Sequence, residues 1–146
     1  MGTYVLVHGA WHTGKELEPV AAVIRAEGHT VHAPTIKGNR PGDSKSVGLN
    51  DAIRSIADHL NESDLKEVVL LGHSYGGMII TGVADLLPDR IPRLVYWNAF
   101  VPNDGECLKH GAAALRRAIR HRRRTARRWF CCATVSDLAR GVYQRR

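Results

Sequence analysis

A glycine-flanked serine is the feature of this sequence with the clearest chemistry. Residues 72–76 read Gly-His-Ser-Tyr-Gly, the G-x-S-x-G pattern, directly after an apolar run and before a helical stretch. In this context the chain must reverse within a few residues, which strains the serine backbone and lifts its hydroxyl above the sheet. The pattern predicts that Ser74 is a nucleophile. The elbow around it is supported by Gly72, His73 and Gly76. The alternative is an ordinary strand–helix turn.

A second segment carries the donors that a hydrolytic serine requires. Residues 7–11, Val-His-Gly-Ala-Trp, leave the first predicted strand and precede the elbow in the chain. Acyl transfer needs two backbone N–H groups aimed at the developing oxyanion, one from the residue after the nucleophile and one from a loop after a neighbouring strand. We therefore expect the backbone N–H groups of Tyr75 and Ala10 to form an oxyanion hole.

The base and the acid that would activate Ser74 are not evident in the sequence. The usual chain order is serine, acid, histidine. Of the eight histidines, His8 and His73 belong to the motif segments and are expected to point away from the hydroxyl. Four precede the nucleophile and are expected to be ordinary surface residues: His12, His29, His32 and His59. His110 and His121 follow it, without a strand to position them. Asp104 and Glu106 are candidate acids that lack such a histidine. We expect the chain as written to be essentially inactive.

The elements that would position these residues alternate between strand and helix. Apolar runs at residues 4–7, 30–33, 67–71 and 94–97 predict strands, and helical periodicity follows residue 13, spans 49–60 and spans 78–87. A capping box at Thr13 and Glu16 marks the first helix. Because the strands are apolar on both faces, this α/β pattern predicts a parallel sheet with helices on both faces.

These motifs together resemble the α/β-hydrolase superfamily. The similar segments are residues 5–11, 28–31, 72–78 and 98–102, and the resemblance covers roughly residues 3–106. The nearest group is the branch that holds plant methylesterases, hydroxynitrile lyases and bacterial esterases. In that branch the lyases tend to carry threonine where this chain has Gly9, so glycine favours ester hydrolysis.

The resemblance implies a partial α/β-hydrolase fold, incomplete at one edge of the sheet. Family members continue for another hundred or so residues that supply a lid, two further strands, the acid and the histidine. The implied activity is hydrolysis of small-molecule carboxylic esters. Lactone hydrolysis and C–C bond cleavage on the same scaffold remain alternatives, as does a non-catalytic homologue that binds a ligand at the elbow.

The net charge of +7 is confined to the end of the chain. Residues 1–106 hold nine basic and thirteen acidic side chains, whereas residues 107–146 hold twelve and one. This arginine-rich tail would bind nucleic acid only non-specifically. Its Arg, Ala and Cys content is typical of GC-rich DNA translated in the wrong frame, so we interpret residues 107–146 as a poorly ordered frameshift product. The coding sequence around codon 109 would test this interpretation.

The remaining sequence features narrow the class of protein. No apolar run is long enough to cross a bilayer and no signal peptide is recognisable, so a cytoplasmic protein without a membrane partner is expected. The three cysteines, Cys107, Cys131 and Cys132, have neither metal-binding nor disulfide spacing. No metal and no cofactor is implied, and nothing in the sequence predicts an oligomeric state.

Overall fold

The computed structural model describes residues 1–103, in which strands and helices alternate along the chain. The strands are β1 (Thr3–Val7), β2 (Thr30–His32), β3 (Val68–Ser74) and β4 (Arg93–Ala99). The helices are α1 (Glu18–Ala26), α2 (Leu49–Glu62) and α3 (Gly76–Leu86), with short 3₁₀ turns at Gly14–Leu17 and Pro88–Arg90.

The four strands form one parallel sheet in the order β2-β1-β3-β4. Val7 at the end of β1 is in register with Gly72 of β3, and His73 of β3 is in register with Trp97 of β4. Because carboxyl ends of parallel strands meet at one edge of a sheet, the loop after β1 and the turn after β3 lie side by side. The predicted parallel sheet is confirmed, and it positions both motif segments at the same edge.

Alternate residues of β1 enter two separate cores, one on each face of the sheet. Val5 and Val7 pack with apolar residues of α2 and α3. Tyr4 and Leu6 pack on the other face with residues of α1. Since successive side chains of a strand point to opposite faces, this alternation places one layer of helix on each side, as the sequence predicted.

Several element boundaries differ from the sequence prediction by one to three residues, and three of these differences bear on the site. β3 continues past residue 71 to Ser74, so the nucleophile candidate is the last residue of the strand. α3 begins at residue 76, within the motif. β4 continues to residue 99 because it pairs with the extended part of β3, across a register shift between His73 and Ser74. At these three positions the apolar pattern stopped short of the polar and glycine residues that belong to the same element.

The predicted boundary at residue 106 and the arginine-rich tail at 107–146 lie outside the described residues. Within residues 1–103, none of the helices combines the length and the apolar composition that a bilayer crossing requires.

Candidate active site

The backbone at Ser74 has the left-handed conformation expected of a nucleophile elbow. Its φ is +55°, a value that residues other than glycine rarely adopt. Tyr75 and the first turn of α3 follow immediately, with the Met78 N–H bonded to the Tyr75 carbonyl at 3.0 Å. The strand, the sharp turn and the helix that the motif predicts are therefore all present.

Glycine is required at the elbow because backbone atoms lie where a β-carbon would be. A β-carbon on Gly72 would lie 2.6 Å from the Gly76 carbonyl oxygen, across the turn. One on Gly77 would overlap the Phe100 carbonyl, so this glycine lets α3 approach the chain after β4. At Gly76 the obstacle is the Val7 carbonyl, which means that this glycine fits the helix against β1.

The loop after β1 lies beside the nucleophile candidate. A β-carbon built on Gly9 would lie 3.3 Å from the β-carbon of Ser74 and 3.6 Å from Nδ1 of His73. Ala10, the second oxyanion candidate, is the next residue of this loop. The sheet thus brings together all six of the sequence-derived site residues: Ala10, Gly72, His73, Ser74, Tyr75 and Gly76.

His8 holds this loop from the interior. Its side chain is fully buried, with Nδ1 donating to the Gly9 carbonyl at 2.8 Å and Nε2 accepting from the Ile36 N–H at 3.0 Å. Burial lowers the pKa of His8, against a smaller opposing effect from the bond to Gly9. With both nitrogens engaged in this way, His8 is a neutral structural residue and is not available as a base.

His12 is exposed, as expected from the sequence, but its ring lies close to Gly9, which also adjoins Ser74, and His73 directly precedes Ser74. The rings of His12 and His73 have centroids 6.2 Å apart, and the His73 ring packs against Trp97 at 4.9 Å. Burial lowers the pKa of His73, and His12 lowers it further. Within residues 1–103 no hydrogen bond joins either ring to the Ser74 hydroxyl.

Asn39 is a residue of the site that the sequence analysis missed. Its side-chain amide donates to the carbonyl oxygens of Ala10 and His12, both at 2.7 Å. Asn39 and Tyr75 also line one cavity of about 220 Å³ between the loop after β2 and α2. The signal that could have found it was topological: β1 and β2 are neighbours, so the loops that follow them must meet.

The remaining candidate groups do not enter the described site. Asp104, Glu106, His110 and His121 lie outside residues 1–103. Among the described residues, no group of three or more His, Cys, Asp or Glu side chains is arranged to hold a metal ion.

A parallel sheet with a serine elbow at its carboxyl edge defines an α/β-hydrolase, and the chain belongs to the alpha/beta hydrolase family, which it matches over residues 4–145. The match extends past residue 106, so it does not mark the predicted boundary there. The described sheet and helices form part of the α/β-hydrolase fold.

Three relatives illustrate the similarity. The chain is 44% identical over 111 residues to the carbendazim hydrolyzing esterase of Nocardioides sp., covering 74% of this chain and 46% of that one. It is 35% identical over 104 residues to the pyrethroid hydrolase of Sphingobium wenxiniae, covering 69% and 37%. A solved extracellular alpha/beta-hydrolase from a Paenibacillus species superposes with a TM-score of 0.71 at 35% identity, covering 82% and 52%. The chain spans about half the length of these relatives.

Proposed function

We propose that this chain carries the nucleophile and the oxyanion donors of a serine hydrolase that acts on carboxylic esters of small molecules. The observation that carries the proposal is the left-handed backbone of Ser74 beside the Gly9 loop. A strained serine is retained in a fold when its position is functionally useful. The names of the Nocardioides and Sphingobium relatives, an esterase and a hydrolase, support the same reaction class.

In the proposed reaction, the Ser74 oxygen forms a bond to the ester carbonyl carbon and passes its proton to a solvent water molecule. The carbonyl oxygen becomes an oxyanion that the N–H groups of Ala10 and Tyr75 stabilise by hydrogen bonds. The tetrahedral intermediate then collapses, the bond between the carbonyl carbon and the alkoxy oxygen breaks, and the alkoxide takes a proton from solvent to leave as the alcohol. An acyl ester remains on Ser74. Attack by water on that ester releases the acid and restores the hydroxyl.

The proton transfers should limit the rate of this reaction. No histidine within residues 1–103 is hydrogen-bonded to Ser74, and the histidine of the usual chain order is expected after the serine rather than before it. Oxyanion stabilisation and binding alone still accelerate a reaction by about a thousandfold over water in well-studied hydrolases. We therefore expect slow acylation by an activated ester, still slower deacylation and very little turnover.

The test is acetylation by p-nitrophenyl acetate, whose phenolate leaves without needing a proton. Intact-mass and peptide analysis should find an acetyl group that accumulates on Ser74, in advance of every other hydroxyl. Ser63, exposed at the end of α2, is the internal comparison. The Ser74→Ala variant should lose the adduct and the Ser63→Ala variant should keep it. Equal acetylation of Ser63 and Ser74 would contradict the proposed function.

A further inference from the structure

The side chain of Asn39 bridges two carbonyl groups of the proposed oxyanion loop. One amide nitrogen, Nδ2, donates to the oxygens of Ala10 and His12 at 2.7 Å each, from 29 and 27 residues along the chain. Both hydrogens of a primary amide are thereby used on one short segment. Such a paired contact fixes the path of the segment more firmly than one hydrogen bond would.

The peptide unit that carries the proposed Ala10 donor is oriented from its other end. The Gly9 carbonyl accepts from Nδ1 of His8 at 2.8 Å and from the His12 N–H at 3.2 Å. In a planar trans peptide the C=O and the N–H point in opposite directions, so fixing the Gly9 oxygen also fixes the direction of the Ala10 N–H. This peptide lies between the α-carbons of Gly9 and Ala10, so its orientation also depends on where the Ala10 α-carbon is held. Asn39 holds the following peptide through the Ala10 carbonyl.

Asn39 is itself held in place by the loop after β2. The Asn39 N–H donates to the Ile36 carbonyl at 3.2 Å. The Asp43 carboxylate accepts from the N–H groups on either side, those of Gly38 at 2.7 Å and Arg40 at 3.2 Å. The pKa of Asp43 is lowered, chiefly by the Gly38 hydrogen bond, so the carboxylate is ionised when it makes these bonds. A rigid support of this kind limits the orientations that Asn39 can adopt.

We propose that Asn39 is the positioning residue that holds the Ala10 N–H in the orientation required of an oxyanion donor. This proposal rests on the proposed function, because it assigns a role within the same site. Asn39 does not touch the reacting atoms and acts through the loop. Loss of the Asn39 side chain should therefore lower the maximal rate of acylation, because the donor stabilises the negative charge of the transition state. It should change the half-saturating ester concentration little, because the donor contributes much less to ester binding.

The decisive variant is Asn39→Asp, which keeps the shape of the side chain but replaces two donor hydrogens by an acceptor. A carboxylate beside the Ala10 and His12 carbonyls would repel both oxygens. The matched control is Asn50→Asp, the same chemical change at an exposed position of α2. Far-ultraviolet circular dichroism at the assay temperature establishes that each variant is folded.

The measurement is the rate of Ser74 acetylation as a function of p-nitrophenyl acetate concentration. For Asn39→Asp the maximal rate should fall by about a hundredfold, as expected for a displaced catalytic group, while the half-saturating ester concentration changes little. Asn50→Asp should match the parent chain. If Asn39→Asp does not fold, Asn39→Ser carries the test, since it shortens the support without adding charge.

The outcomes separate this proposal from the function on which it rests. A folded Asn39 variant that acetylates Ser74 at the parental maximal rate overturns the positioning role and leaves the proposed function intact. A variant whose half-saturating concentration rises at constant maximal rate overturns it as well, since the residue would then serve ester binding. If the parent chain does not acetylate Ser74 selectively, the proposed function itself fails.

Discussion

Gly76 lies directly against the carbonyl oxygen of Val7, so that a β-carbon on this glycine would overlap the end of β1. This contact joins the two halves of the candidate site, because Val7 leads into the proposed oxyanion loop and Gly76 begins the helix behind Ser74. The neighbouring carbonyl of His8 lies 3.0 Å from the same point. Backbone atoms cannot move aside as a flexible side chain can, and the close approach therefore depends on glycine.

The Gly76→Ala substitution should lower the free energy of unfolding by about 3 kcal/mol, the upper end of the range typical of overpacking in a core, because the atoms that it meets belong to the backbone. Urea-induced unfolding measures the loss. Gly48→Ala is the matched control, because the nearest atom to a β-carbon on Gly48 is an Asp51 carboxylate oxygen at 3.8 Å. That control should cost less than about 1 kcal/mol, as for glycine replaced at the start of a helix. Equal losses in the two variants would contradict the packing argument.

The capping box at residue 13 gives a prediction on which sequence and structure agree. The Thr13 N–H donates to the Glu16 carboxylate at 2.6 Å, and the Thr13 hydroxyl accepts from the Lys15 N–H at 3.3 Å. Thr13→Ala should therefore cost about 1 kcal/mol in the free energy of unfolding. Thr30→Ala, at an exposed position of the edge strand β2, should cost clearly less in the same urea titration. A Thr13→Ala variant as stable as the parent would show that the cap contributes nothing.

Local patterns sufficed for much of this fold. The apolar runs located all four strands, the capping box located the first helical turn, and the G-x-S-x-G motif placed Ser74 between strand and helix. Each of these signals lies within about ten consecutive residues. A strand or an elbow that is encoded locally can be predicted without knowing what packs against it.

The missed parts of the site depend on contacts between distant segments. Asn39 reaches the loop after β1 only because β2 is the neighbour of β1, which no pattern around residue 39 reveals. His12 comes within a ring contact of His73 for the same reason, since β1 and β3 are paired. Glycine is required at position 76 because of a tertiary contact with Val7, which local sequence does not reveal either. Sequence identified the residues of the elbow more readily than what surrounds them.

The pH dependence of stability should be set by histidines whose pKa is lowered by burial. This holds for His8, His59 and His73. Because the unfolded chain binds protons first as the pH falls, these residues stabilise the fold fully above their unfolded pKa of about 6.5, and that stability is lost below it. The free energy of unfolding should therefore be constant above about pH 7.5 and should decline towards pH 5.5.

His59 offers a clean test of this linkage. Its Nε2 is buried and has no hydrogen-bond partner within residues 1–103, while its ring packs on His32 with centroids 5.3 Å apart. Burial is the main cause of its lowered pKa, with His32 and Arg40 adding to it and Glu62 opposing it. His59→Phe keeps an aromatic ring and removes the titrating group. Urea titrations at several pH values should show a shallower decline and no loss of stability near neutral pH. An unchanged pH dependence would contradict the assignment.

The strain at Ser74 leads to a prediction in which replacing this serine by glycine stabilises the fold. A residue with a β-carbon pays about 1 kcal/mol to hold a left-handed backbone, whereas glycine does not. Ser74→Gly should therefore unfold at higher urea than Ser74→Ala by about that amount, although neither variant can be acetylated at position 74. Ser63 has an ordinary φ of −91°, so Ser63→Gly should be no more stable than Ser63→Ala. If Ser74→Gly is no more stable than Ser74→Ala, as is expected at position 63, the Ser74 backbone is unstrained. That result would contradict the strained elbow.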